Sequence, residues 1–451
     1  MTAIARTPLE AWIGARIGLA RGERLSAGRL AAWQLAQLNA TLAHVWQHSA
    51  FYQERLGGRA LPRLARLEEI ATLQFTSATD LRQDAMRLLC ISQSEVARVV
   101  TLGTSGTTGD PKRLFFSGAD LEATIDFFHH GMSTLVRTGE RVLILLPGDR
   151  PDSVGDLLRR GLARLGAEGI VHGPVIDPAV TLRAIRGHAV HCLVGIPVQV
   201  LALARHPEGA VLGPGTLRSV LLSTDYVPRS IVTAIETAWG CQVFQHYGMT
   251  EMGFGGGVEC AARQGYHLRE ADLLLEVIDP ISGRPASHGR NGEVVVTTLA
   301  RRAMPLIRYR TGDRAAWIDE PCPCGTMLRR LAWVQGRHQE ARRLADGVRL
   351  EMHTLDEALF ALAGVIDYQA VLTCGKDGEH LRVRLYAYQD DQRLRSRAAA
   401  ALALVPAIRA ATANERFQVD PIDVELRSSS ILPAAKRMIG DRRTNASPLR
   451  K

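Results

Sequence analysis

Between Arg141 and Tyr247, short apolar runs alternate with amphipathic stretches, and no other feature narrows the fold so far. "RVLILLP", "GIVHGPV", "HCLVGIP", "LRSVLLS" and "CQVFQHYG" read as strands, with "SVGDLLRRGLARLGA", "AVTLRAIRGHA" and "RSIVTAIETAWG" as helices between them. Strands that are apolar almost throughout are buried on both faces, which implies a parallel sheet covered by helices. Upstream, residues 1–95 read as helical, with Leu30, Trp33, Leu38, Leu42 and Val45 at helical spacing. "ARVVTL" and "RLFFS" read as strands flanking a glycine-rich loop. Ser117 and Asp120 then form a capping-box pattern, with Leu121, Ile125, Phe128 and Met132 on one helix face.

After Gly265 the pattern turns to strands: "ADLLLEVID", "GEVVVTTL" and "IRYRTGDRAAWI", punctuated by "SGRPASHGRNG". Past Gly336 the spacing predicts a helix over 352–363, strands over 368–374 and 381–388, and a helix over 394–412. The expected fold is therefore α/β. A large N-terminal domain (1–336) has a helical start (1–95), an α/β core of helix-covered parallel sheets (96–258) and a β subdomain (259–336). A small, mobile α+β lid spans 337–451. Its roughly 110 residues fall in the usual domain range.

Composition removes several classes. No run reaches the ~18 apolar residues of a membrane span, and the N-terminus lacks the compact apolar core of a secretory signal. Seven cysteines, an odd number spread over 451 residues, argue against a disulfide framework and for a reducing cytoplasm. A net charge of +9 suits anionic partners, but with aromatic residues at 5% stacking platforms for nucleic acid are scarce. Neither nucleic acid nor membrane is the expected partner.

The loop "TLGTSGTTGDPKRLF" concentrates glycine and hydroxyls ahead of Lys112. Glycines allow close backbone approach, and hydroxyls plus one ammonium suit a phosphate chain. A surface loop has the same composition, and the residues alone leave both readings open. It lies between strands and is spaced GxxGxxG, so it is neither a dinucleotide fingerprint nor a P-loop.

Three further stretches bear on the loop: "HYGMTE" (246–251), "RYRTGD" (308–313) and "PAAKR" (433–437). With "TSGTTGDPK" they resemble, in order and spacing, the core motifs of the adenylate-forming (acyl-CoA synthetase) superfamily. "HSAFYQERL", "GGGVEC", "PLIRYRTGD" and "CPCG" make the chain most similar to its phenylacetate–CoA ligase group. The resemblance implies an ATP-dependent acid–CoA ligase, of aryl or arylacetic acids, working through an acyl-adenylate with ATP, Mg2+ and coenzyme A.

Carried onto this chain, the resemblance assigns roles residue by residue. Thr104, Ser105, Gly106, Thr107, Thr108 and Gly109 would cradle the β- and γ-phosphates, assisted by Lys112. Glu251 would hold magnesium, and Thr250 would contact the α-phosphate. Tyr247 would lie against adenine, with Gly248 beside it in the nucleotide site, and Ser223 and Asp225 would line the adenine pocket. Asp313 would accept the ribose hydroxyls, and Arg337 would contact ribose or phosphate near the hinge. Lys436 would stabilise the adenylation transition state. Two departures from the group's pattern stand out: "GRHQE" at 336–340 in place of G-R-x-D-D, and Ala435 where a glycine usually precedes the lysine.

Cys260, His267, Cys322 and Cys324 offer three sulfurs and an imidazole, a donor set for a structural Zn2+. The alternative is buried inert thiols, the reading also given to Cys90, Cys192, Cys241 and Cys374. His246, His129 and His130 are read either as structural histidines or as the border of an acyl pocket. The acceptor could also be a carrier protein or an amine, and a non-catalytic nucleotide binder is the remaining rival. Oligomeric state is not readable; a homodimer is carried as an open expectation.

Overall fold

The computed structural model describes residues 4–20, 22–57, 63–103, 111–337, 340–344, 347–413, 416–427 and 437–443. The candidates Thr104–Gly109 and Lys436 lie outside these residues. The chain divides into two compact units, Met1–Val171 with Phe244–Val334, and His172–Val243 with Gln335–Lys451.

In the first unit, helices Pro8–Arg16 and Ala27–His48 begin at Thr7 and Ser26, whose side-chain oxygens accept backbone N–H groups of the first turn. Strands Val96–Leu102 and Lys112–Ser117 form an antiparallel hairpin whose last pair is Leu102 with Lys112. Helix Gly118–Met132 follows at once. The expected capping box between Ser117 and Asp120 is present, and the helix buries Leu121, Ile125, Phe128 and Met132. Strands Arg141–Ile144 and Glu168–Val171 are parallel, joined through helix Val154–Leu165. The β region contributes a three-stranded antiparallel sheet of Leu273–Ile278, Gly292–Thr298 and Tyr309–Ala315. A separate antiparallel run links Gln242–Tyr247, Gly257–Glu259, Tyr266–Leu268, Arg330–Leu331 and Trp317–Ile318. "IRYRTGDRAAWI" is thus two strands in two sheets, not one.

The second unit contains the parallel strands Cys192–Gly195 and Ser219–Leu222. Its C-terminal sheet is built on the hairpin Asp367–Gly375 and Gly378–Ala387. Phe417–Val419 and Asp423–Leu426 pair parallel with the second hairpin strand, and Gly440–Asp441 pairs parallel with the first. The helix expected over 394–412 is two, Leu394–Ala403 and Pro406–Thr412. Pro406 has no N–H to continue the ladder and suits a first turn instead.

Several contacts tie 172–243 to the C-terminal segment: Arg205 donates to the Phe360 and Val365 carbonyls, the His206 ring meets that of Tyr388, and a further contact caps a helix. Helix Arg229–Trp239 has Pro228 at its N-cap, which offers no side-chain acceptor. Glu357 of helix Met352–Phe360 supplies it: its carboxylate accepts Arg229 N at 2.7 Å, Ser230 N at 3.0 Å and the Tyr226 hydroxyl at 2.8 Å. A carboxylate there satisfies orphan donors and meets the positive end of the helix dipole. These contacts explain why residues the sequence places in the α/β core group with the C-terminal segment. Among the described residues no helix is long and apolar enough to cross a membrane.

Candidate active site and a cysteine–histidine cluster

Period-two alternation in strand Tyr309–Ala315 turns Tyr309, Thr311, Asp313 and Ala315 inward. The strand is fixed on its open side by Thr76, whose N–H donates to Arg308 O at 3.1 Å and whose carbonyl accepts Arg310 N at 2.9 Å. Arg308 has φ near +48° and spends its guanidinium structurally, on Glu276 and the carbonyls of Ala71 and Leu73. On the inward face, the Tyr309 hydroxyl donates to Glu251 Oε1 at 3.0 Å, and Asp313 Oδ2 accepts the Tyr247 hydroxyl at 3.0 Å. Two motifs far apart in sequence, "YGMTE" and "YRTGD", thus interlock through two hydroxyl–carboxylate bonds.

Glu251 also receives the ammonium of Lys112, the first residue of the second hairpin strand. Burial alone would raise the carboxyl's pKa. The Lys112 charge and hydrogen bonds from Lys112, its own backbone N–H and Tyr309 outweigh that and hold it below the ordinary glutamate value. Arg301, buried, supports the same turn by donating to the Glu251 carbonyl at 2.8 Å and stacking 4.2 Å over Phe116. Neither Tyr309 nor Arg301 is assigned a role by the sequence. Tyr309 lies inside a quoted motif, whereas Arg301 carries no signal.

Gly248 is required sterically, since a Cβ there would meet the Phe254 carbonyl oxygen at 2.4 Å. Thr250 opens a single 3-10 turn, Thr250–Met252, that carries Glu251. His246 is half-buried beside Phe127 and Phe128, at ring distances of 6.1 and 6.3 Å. Burial, with the Arg269 charge adding to it, pushes its pKa down to about 4. Lys112, Tyr247, Gly248, Thr250, Glu251 and Asp313 therefore all belong to the first unit. Ser223, Asp225 and Arg337 belong to the second. There Thr224 has φ near +78°, between Ser223, whose N–H donates to Gly195 O, and Asp225, which accepts Tyr226 N.

Cys260, His267, Cys322 and Cys324 converge as well, all buried, with their ligand atoms within 4.8 Å of one another. Cys260 and Cys322 sulfurs are 3.6 Å apart, and Cys324 Sγ is 3.7 Å from His267 Nε2. A tetrahedral zinc ion would space its ligands by about 3.6–3.8 Å, whereas a disulfide needs about 2.05 Å. His267 Nδ1 donates to the Arg329 carbonyl at 3.3 Å, so the proton sits there and Nε2 faces the sulfurs as an acceptor. Of the remaining cysteines, Cys90, Cys192 and Cys241 are buried as expected. Cys374 is exposed, because it lies next to the hairpin turn after Gly375.

A family model described as an AMP-binding enzyme matches residues 99–300. The chain is 29% identical over 358 residues to a phenylacetate–coenzyme A ligase of Thermus thermophilus, covering 78% of this chain and 79% of that protein. A phenylacetate–coenzyme A ligase of Pseudomonas putida is 28% identical over 329 residues, covering 70% and 73%. Among solved structures, a 2-hydroxyisobutyryl-CoA ligase bound to an acyl-adenylate shares the fold, with a TM-score of 0.77 over 93% of this chain and 91% of that one, at 22% identity. Sequence and fold together support placing the chain with the adenylate-forming, acyl-CoA synthetase-like enzymes, in the phenylacetate–CoA ligase-like group.

Proposed function

We propose that the protein is an ATP-dependent carboxylic acid–CoA ligase acting on aryl or arylacetic acids and releasing AMP and pyrophosphate. Support comes from relatives named as phenylacetate–coenzyme A ligases and, above all, from the buried, ionised Glu251 bonded to Lys112 and Tyr309. In the first half-reaction the acid's carboxylate oxygen bonds to the α-phosphorus of ATP while the bond to pyrophosphate breaks. In the second, a thiol sulfur bonds to the acyl carbon and AMP leaves.

Glu251 suits magnesium: it is a hard oxygen ligand, kept charged, and Mg2+ is commonly held by one or two carboxylates plus substrate phosphates. When bound, the ion would neutralise charge on the phosphate oxygens. Lys112 closes the hairpin loop, so its ammonium would exchange the carboxylate for phosphate oxygens as the triphosphate enters. Thr250 would meet the α-phosphate, and Asp313 would take ribose hydroxyls while Tyr247 orients its second oxygen. Ser223, Asp225 and Arg337 would complete the nucleotide site, Thr104–Gly109 the phosphate cradle, and Lys436, on a lid spanning 337–451, would reach the α-phosphate during adenylation only.

A panel of aryl, arylacetic and aliphatic acids assayed for ATP–pyrophosphate exchange, with and without coenzyme A, tests this reading. Exchange with an aryl acid and thioester formation on free coenzyme A are expected. Labelling of a carrier protein alone would redirect the second step, and absence of exchange with every acid would sink the proposal.

The four-ligand cluster is assigned a structural zinc ion, because all four donors are buried and none is a carboxylate. Cys324→Ser is expected to lose the metal by elemental analysis and to lower the melting midpoint by several degrees. Unchanged zinc content would refute the assignment.

A further inference from the structure

Helix Gly118–Met132 ends on a second convergence of ligand atoms, unrelated to the cysteine cluster. Asp126, His129 and His130, all half-buried, bring one ligand atom each within 4.8 Å of one another. Helical geometry explains it: residues three and four apart share a face, so Asp126 is the common partner of His129 and His130. Asp126 Oδ1 lies 3.7 Å from His130 Nε2, too long for a hydrogen bond and close to the separation of two ligands on one ion.

The surroundings are organised as they are around metal ligands. Trp12 Nε1 donates to Asp126 Oδ2 at 2.7 Å, which fixes the carboxylate and leaves Oδ1 turned toward His130. The Trp12 ring stacks on His130 with centroids 5.7 Å apart at 25°, and the His129 ring lies 4.3 Å from that of His130. The backbone under the pair is held by helix Val154–Leu165, where a Cβ on Gly161 would come within 3.1 Å of His129 N. The three residues sit in the last two turns of their helix, whose C-terminal end carries partial negative charge and favours a cation. Arg269 and Arg16 act against a cation here, Arg269 being near enough to feel Asp126 and Arg16 lying 5.8 Å from the Trp12 ring, while Asp272 pairs with both and Asp120 attracts Arg269.

We infer that Asp126, His129 and His130 form a second metal site, open to water, for a divalent first-row transition ion. Two imidazoles and one carboxylate select such ions over magnesium or calcium, and Trp12 is the positioning residue that links the site to helix Pro8–Arg16.

The test is cobalt(II) titration of the full-length chain, counting bound metal and recording absorption. Cobalt on the cysteine cluster would show thiolate charge-transfer bands, whereas cobalt on this site would show none, so the two assignments fail independently. The thiolate-free uptake is expected to weaken at least tenfold in His130→Ala and in His129→Ala, and to persist in Cys324→Ser. Trp12→Phe is expected to weaken it by roughly ten- to hundredfold. Melting midpoints measured in chelator verify that each variant is folded, and His130→Gln replaces any that is not. Absence of thiolate-free uptake, or uptake unaltered in both histidine variants, would overturn the inference.

Discussion

Deep burial should drive a carboxyl toward its neutral form, and Glu251 escapes because one ammonium and two hydrogen-bond donors meet it. Lys112→Met removes the charge while keeping most of the stem. The variant is expected to lower ATP–pyrophosphate exchange by about 10²-fold, the scale of losing one preorganised charge partner. Undiminished exchange would detach Lys112 from the site. Both residues were legible in the sequence as members of motifs, but their pairing was not. They stand 139 positions apart, and nothing local encodes which cation a buried acid will find. Tyr309 and Arg301 stayed without roles for the same reason, since a residue that serves another residue rather than a ligand leaves no pattern of its own.

At the scale of elements, local chemistry decided how much could be read. The capping box at Ser117 and the hairpin strands around the glycine-rich loop follow from nearest neighbours and were legible. Helix Pro197–Arg205 was not, because Pro197 through Ala204 are all buried and an all-round apolar helix has no stripe to detect. The turn after Leu268 yields a pH prediction. Burial pushes the Glu270 carboxyl up to about 7, against the opposing charge of Arg329. A carboxyl raised in the folded state binds its proton more tightly there than in the unfolded chain. Its contribution is fully present below the unfolded value near 4.5 and is lost as pH rises toward 7. Glu270→Gln, which keeps the shape without the titration, should therefore flatten the fall in stability across that window. Parallel denaturation profiles for the two proteins at pH 5 and pH 8 would contradict it.

For the whole molecule, the fold class was readable from alternation and the family from the order of motifs, whereas the grouping of 172–243 with the C-terminal segment was not. That grouping goes with contacts between residues more than a hundred positions apart, such as Glu357 at a helix end and Arg205 at the Phe360 and Val365 carbonyls. At this scale the proposed function turns on Lys436. Lys436→Ala is expected to abolish adenylation yet leave thioester formation from a supplied acyl-adenylate largely intact, and equal loss in both steps would remove Lys436 from its role. Its neighbour Arg437 is largely covered beside Asp356 and Asp367, with Phe360 and Tyr368 rings 4.6 and 4.4 Å away. The residue proposed for catalysis is therefore bonded directly to an anchored neighbour, about 3.8 Å away from Cα to Cα. Inserting a single residue between the two would spoil the aim of the lysine's amine and spare the packing.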